Sequence, residues 1–140
     1  NSKDGYFLKP IAFKIDDISE IDEENFGPIL HFVTYKHHEL DEVIEKVNSV
    51  GYGLTMGLHS RITDKAEKIF SKANIGNFYV NRDIVGAVVG VQPFGGQGLS
   101  GTGPKAGGPN YLRSFVTEKT FTDNVMATGG NIDLLNKNNK

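Results

Sequence analysis

Residues 75–109 read IGNFYVNRDIVGAVVGVQPFGGQGLSGTGPKAGGP, and this stretch decides the fold class. It opens with Ile75, Phe78, Tyr79 and Val80, an apolar, β-favouring run that predicts a strand over 75–81. A loop follows in which glycine stands at 86, 90, 95, 96, 98, 101, 103, 107 and 108. Glycine reaches φ > 0 and lets a backbone come close to a ligand or another chain. Open α/β sheets place ligands beyond their strand ends, where such loops begin. A flexible linker would be polar, but this loop carries Val88, Val89, Val91, Phe94 and Leu99. The composition predicts a packed, shaped loop.

Upstream, the pattern alternates. Tyr6 to Ile15 predicts a strand, with Pro10 favouring an edge or a bulge. Asp16 to Glu24 holds six acids (Asp16, Asp17, Glu20, Asp22, Glu23 and Glu24), a composition suited to a solvated loop or a first helical turn. Asn25-Phe26-Gly27-Pro28 is a turn signal, and Ile29 to Tyr35 predicts a second strand. From His38 to Val50, apolar residues fall at Leu40, Val43, Ile44 and Val47, the spacing of an amphipathic helix. Gly51 and Gly53 supply its stop. Leu54 to His59 predicts a short buried strand. Asp64 and Glu67 have the spacing of a capping box for a second helix, whose inward stripe would be Ala66, Ile69, Phe70 and Ala73. The order strand, strand, helix, strand, helix, strand predicts right-handed βαβ crossovers and a mostly parallel sheet. Tyr111 to Thr122 alternates like a further strand, and the tail after Gly129-Gly130 is expected to fray.

The totals exclude several classes. The 140 residues suit one compact domain. A net charge of -2 argues against a reader of the phosphate backbone, so no nucleic-acid contact is expected. No apolar run approaches a membrane span. With no cysteine there is no disulfide framework, thiolate metal site or thiol nucleophile in this chain. The opening NSKDGYF is neither a signal nor a transit peptide, and it reads as the middle of a longer chain.

No complete catalytic set is visible. His31, His37, His38 and His59 have no metal-binding spacing, and structural roles are expected for all four. Ser100 lies in G-L-S-G rather than G-x-S-x-G, with no histidine placed to activate it. Gly96 to Gly101 fits G-x-G-x-x-G, but TGPKAGGP follows where a dinucleotide fold would open a helix. A Rossmann phosphate loop is therefore rejected.

Glu24-Asn25-Phe26-Gly27-Pro28, a later strand ending in Val80-Asn81, then Pro93-Phe94-Gly95-Gly96 and Ser100-Gly101, together resemble the C-terminal part of an aldehyde dehydrogenase. The resemblance runs from Gly5 to about Thr122. The longer string GVQPFGGQGLSGTGPKAGGPNYL is similar to the L-glutamate-γ-semialdehyde (Δ1-pyrroline-5-carboxylate) dehydrogenase domain of bacterial proline utilisation A proteins, and TEKTFTDNVMATGGNIDLL resembles the end of those bifunctional enzymes.

The resemblance implies an α/β segment of a catalytic domain over residues 1–110, an oligomerisation strand over 111–128 and a C-terminal tail over 129–140. It also implies roles for particular residues. Glu24 would accept hydrogen bonds from the nicotinamide-ribose hydroxyls of NAD, which suits an acceptor-only carboxylate. Phe26 would pack beside the nicotinamide. Gly86 and Ala87 would hold the substrate's α-carboxylate through backbone N–H groups, as an anion nest does. Phe94 would line the aldehyde pocket, whose walls need apolar side chains. The general base and the NAD-binding half would lie upstream. FAD would belong to a proline dehydrogenase domain outside this chain. The implied partners are L-glutamate γ-semialdehyde, the remainder of the parent polypeptide and further copies of it. The implied location is the cytoplasm, or the inner face of the membrane as a peripheral protein. Two alternatives stand beside this reading: an aldehyde dehydrogenase segment for another substrate, and a self-standing assembly module without activity.

Overall fold

The computed structural model describes residues 5–124. Its strands are β1 (Ile11–Lys14), β2 (Ile29–Phe32), β3 (Tyr52–Gly53), β4 (Thr55–Leu58), β5 (Asn77–Val80) and β6 (Gln97–Gly98). Its helices are α1 (Leu40–Ser49) and α2 (Thr63–Lys72), with short 3-10 helices at Ile18–Glu20, His37–Glu39 and Tyr111–Phe115. No described helix is long and apolar enough to cross a membrane.

The α/β class and the parallel pairing follow the sequence reading. β1 pairs with β2 in parallel from Ile11↔Ile29 to Lys14↔Phe32. β4 pairs with β5 in parallel from Thr55↔Asn77 to Leu58↔Val80. Helix α2 makes the crossover between β4 and β5, so these elements form a βαβ unit. The expected continuous sheet is instead three two-stranded pieces among the described residues, and the third pair, β3 with β6, is antiparallel. No described strand bridges the edges of the three pairs, and Ile11, Phe13, Leu30 and Phe32 remain exposed on the β1–β2 pair.

Local chemistry sets the element ends. β1 begins only after Pro10, which has no N–H for a ladder, so Tyr6–Lys9, expected in this strand, lie outside it. Within the acidic run, Asp17 accepts from the Ser19 N–H at 2.9 Å while Glu20 accepts from the Asp17 N–H at 2.9 Å. That reciprocal pair is a capping box. The box expected at Asp64 does not form. α2 starts at Thr63 with Ile62 before it and no side-chain cap, which leaves the Asp64 carboxylate in the first turn. The chain is already turned upstream, where Ser60 Oγ accepts from the Ile62 N–H at 3.1 Å.

Ile44 and Ile69 are the buried residues of the two helices, and with Ile75 and Tyr79 they make the core. Phe70, expected on the inward stripe of α2, is 64% exposed and touches only the edge of that core, its ring 5.9 Å from Phe78. A helical stripe at this spacing is wider than the single strand pair beneath it can cover. The helices are also tied together by charge: Asp41 takes Lys68 and Lys72, each at 2.9 Å. These contacts, first Lys68 and then Lys72, hold the Asp41 carboxyl below its ordinary pKa. Lys46 joins α1 to the capping box, donating to Asp17 at 2.6 Å and pairing with Glu42 at 2.9 Å. Its hydrogen bond, followed by the Ser19 N–H, lowers the Asp17 pKa to about 2. Exposed pairs of this kind set geometry more than stability.

The strand expected over 111–122 begins differently. Residues Tyr111–Phe115 form a 3-10 helix in which Tyr111 and Phe115 meet edge to face at 5.3 Å. The i, i+4 aromatic pair favours a turn over an extended chain at this point. Residues 116–124 carry no strand pairing within the described residues. The tail expected over 129–140 and the end of the 111–128 segment lie outside the described residues.

Candidate functional site

The site begins where β5 ends. Asn81 has φ of 55°, a left-handed conformation that asparagine tolerates better than most residues. Its side-chain oxygen accepts from the Ser60 N–H and its amide donates to the Ser60 carbonyl, both at 2.9 Å. Its own N–H donates to the Leu58 carbonyl at 2.8 Å. Those three bonds offset the backbone cost and turn the chain out at the C-terminal edge of a parallel pair. That is the edge at which α/β sheets hold ligands.

The loop that follows has a defined shape. The Val91 and Gln92 N–H groups donate to the Val88 carbonyl at 3.0 and 2.9 Å, and the Gln92 side chain accepts from the Val88 N–H at 3.1 Å. Gly86 has φ of 64°. Asn81 is the one non-glycine with positive φ among the described residues, so Val85 and Ala87 flank Gly86 with the opposite sign. A change of φ sign between neighbours turns successive N–H groups toward one side, the geometry of an anion nest. The N–H groups of Gly86 and Ala87 donate to no acceptor among the described residues. The expected apolar packing is missing, however: Val85, Val88 and Val91 are exposed and Val89 is 97% exposed. Hydrogen bonds alone shape the loop here, because nothing described lies over its valines.

The Pro93–Gly96 segment is clamped back onto β5. Asn77 is 8% exposed. Its amide donates to the Pro93 carbonyl at 3.0 Å and its oxygen accepts from the Gly95 N–H at 3.2 Å. Phe94 sits between these two bonds and pairs antiparallel with Ala106. Lys105 donates to the Gly76 carbonyl. Beyond Gly96 the chain does not open a helix. Gln97–Gly98 pairs with β3, and Ser100 Oγ accepts from the Gly53 N–H at 3.3 Å. The G-x-G-x-x-G spacing is therefore a tight turn, and Ser100 serves as a backbone tie.

The site residues fall into two groups. Gly86, Ala87 and Phe94 all hang from β5. Glu24 and Phe26 lie in the exposed segment between the Ile18–Glu20 turn and β2. The Phe26 ring is 90% exposed, and Glu24 makes no hydrogen bond among the described residues. Among the described residues no hydrogen bond or ring contact joins the two groups. A cavity of about 220 Å³ between α1 and the segment after β2 is lined by Asp17, Tyr35, Glu42 and Lys46 and takes in none of the site residues. Among the histidines, His31 stacks on Phe13 at 6.0 Å, a structural contact, and no described cluster of side chains could hold a metal ion. Asn77, Tyr79 and Lys105 were not singled out by sequence reasoning. The signal available for the first two was a polar residue alternating with an aromatic along a strand, Asn77 and Tyr79 two apart on one face.

Residues 1–121, which hold E-x-F-G-P, the strand pair with its glycine-rich loop and the clamped P-F-G-G, match the aldehyde dehydrogenase family, and the chain belongs to that family. It is 56% identical over 115 residues to the bifunctional protein PutA of Escherichia coli, a match covering 82% of this chain and 9% of that protein. A crystal structure of Bradyrhizobium japonicum proline utilization A (PutA) superposes with a TM-score of 0.80 at 53% identity, over 92% of this chain and 13% of the other. The structure of 1-pyrroline-5-carboxylate dehydrogenase from Thermus with bound NAD superposes with a TM-score of 0.70 at 41% identity, over 82% of this chain and 22% of that one. The chain thus spans only 9–13% of the length of these PutA proteins.

Proposed function

We propose that this segment belongs to an NAD-dependent dehydrogenase that oxidises L-glutamate γ-semialdehyde (Δ1-pyrroline-5-carboxylate) to L-glutamate in proline catabolism. The observation that carries the reading is the pair of undonated N–H groups at Gly86 and Ala87, set around a left-handed glycine. An anionic group two N–H groups wide fits there. The similarity to PutA and to 1-pyrroline-5-carboxylate dehydrogenase supports the substrate. Phe94, held beside the same strand, supplies an apolar wall for the aldehyde's methylene chain.

The residues present suit NAD. Glu24 has unengaged acceptor oxygens for ribose hydroxyls, and the open Phe26 face can lie against the nicotinamide. NAD supplies the hydride acceptor. The chain contains no cysteine, so the thiol that attacks the aldehyde comes from elsewhere in the parent, and the 140 residues alone are inactive. FAD belongs to a separate proline dehydrogenase domain, and the parent acts in the cytoplasm. Exposed Ile11, Phe13, Leu30, Phe32 and the loop valines favour packing against the rest of the parent over a self-standing module. The same reasoning assigns residues 111–128 to contact between subunits, through exposed Leu112, Val116 and Phe121. A full-length variant lacking residues from Val116 onward should sediment as a smaller species. Unchanged sedimentation would remove this assignment.

Kinetics of the full-length enzyme test the two binding roles. Ala87→Pro removes one N–H donor. It should raise the KM for glutamate semialdehyde by the equivalent of about 1–3 kcal/mol, the range for a hydrogen bond to a charged group. Propanal, with no carboxylate, should be little affected. Equal losses on both substrates would mean damage to the pocket and leave the anchor without support. Glu24→Gln keeps the shape but makes a charge-assisted bond neutral. It should weaken NAD use by up to about 1.5 kcal/mol while sparing the aldehyde KM. NAD titrations identical to wild type would exclude Glu24 as the ribose acceptor.

A further inference from the structure

Tyr79 is 7% exposed on the inner face of β5. Its hydroxyl donates to the Gly86 carbonyl oxygen at 2.8 Å. The Arg82 guanidinium lies over its ring, 4.6 Å from the centroid. Arg82 in turn donates through Nε to the Asp83 carbonyl at 3.1 Å, and the Asp83 carboxylate accepts from the Val85 N–H at 3.2 Å. Ring and hydroxyl are therefore both held, and the hydroxyl's one acceptor is the backbone of the loop.

The Gly86 carbonyl belongs to the same peptide as the Ala87 N–H. That peptide is planar and trans, so its N–H points opposite to its C=O. Drawing the carbonyl toward Tyr79 aims the Ala87 N–H away from the strand. The bond accepted by the carbonyl also polarises the N–H at the other end of the peptide. Glycine cannot fix this orientation by itself. Gly86 has no side chain, and a Cβ built there would meet nothing within 4 Å. The φ of 64° is one of several conformations open to it.

We infer that Tyr79 is a positioning residue for the substrate's carboxylate: its hydroxyl locks the Gly86–Ala87 peptide plane so that the Ala87 N–H faces the anion. This rests on the carboxylate-anchor reading proposed above. Tyr79 touches no substrate atom in this role. Its effect passes through the peptide it holds.

The test is Tyr79→Phe in the full-length enzyme, which keeps the ring, the Arg82 contact and the core packing and removes only the oxygen. The KM for glutamate semialdehyde should rise about three- to tenfold, the equivalent of one neutral hydrogen bond. The kcat for that substrate and the kcat/KM for propanal should each change by less than about twofold. An unchanged semialdehyde KM would overturn the inference. So would equal losses on both substrates, which would make Tyr79 a packing residue. Ala87→Pro measured in parallel separates the two levels. If Ala87→Pro leaves the ratio of the two substrates unchanged, the anchor reading itself fails. If Ala87→Pro shifts that ratio and Tyr79→Phe does not, the anchor stands and the role of Tyr79 fails.

Discussion

Gly76→Ala is expected to loosen the Pro93–Gly96 segment from β5 and to cost the full-length enzyme activity toward every aldehyde. A Cβ built on Gly76 would overlap the Gly95 carbonyl oxygen and stand 2.8 Å from the Gly96 Cα. These are backbone atoms, and no rotamer change removes them. The strand cannot retreat either. The Gly76 N–H donates to the Gly53 carbonyl at 2.9 Å, and the Gly76 carbonyl accepts from Lys105. Overpacking that must move backbone should cost about 3 kcal/mol, the upper part of the usual range. Thermal unfolding would read the loss, and limited proteolysis within residues 86–103 would read the loosening. A variant that melts like wild type and resists protease equally would show that the two backbones have room to part. Gly86→Ala is the contrast, because it meets no neighbour and suffers only the left-handed φ, worth about 1–2 kcal/mol.

That contrast shows what the sequence could and could not carry. Counting glycines marked the loop as one in which backbones approach closely. It marked Gly86, which is glycine for its φ, but not Gly76, which is glycine for its neighbour. The first property is local and the second depends on a segment nearly twenty residues away. Periodicity behaved the same way. The stripe Leu40, Val43, Ile44, Val47 located α1, because a helix's own geometry generates that spacing. Whether the strand pairs would merge into one sheet depended on which strands bond to their free edges, and no local pattern states that.

Two misreadings share this cause. Asp64 and Glu67 have capping-box spacing, yet α2 starts at Thr63 with Ile62 at the cap, so Asp64 falls inside the first turn, and the box forms at Asp17 and Glu20. Tyr111 to Thr122 alternates as a strand would, but an aromatic pair at i, i+4 closes its first turn. Alternation over a few residues fits either structure when no partner strand is present. Gly86, Ala87, Phe94, Glu24 and Phe26 were reached through the family resemblance. The residues that hold the first three in place became visible only through contacts made in three dimensions.

Asn77→Leu should produce the second large effect, for a reason that is chemical and not steric. Leucine fills a similar volume but carries no polar atoms, so the Pro93 carbonyl and the Gly95 N–H both lose their partner. Pro93 is exposed and water can replace its bond, whereas Gly95 is half-buried and its N–H has less access to solvent. Together the losses should destabilise the segment by about 2–4 kcal/mol, with the unpartnered N–H contributing most. Phe94 stands between the two bonds, so the pocket wall should move and the KM for propanal should rise along with that for the semialdehyde. This sets the variant apart from Ala87→Pro, which should spare propanal. If Asn77→Leu leaves both melting and propanal kinetics unchanged, Asn77 does not hold the Phe94 wall.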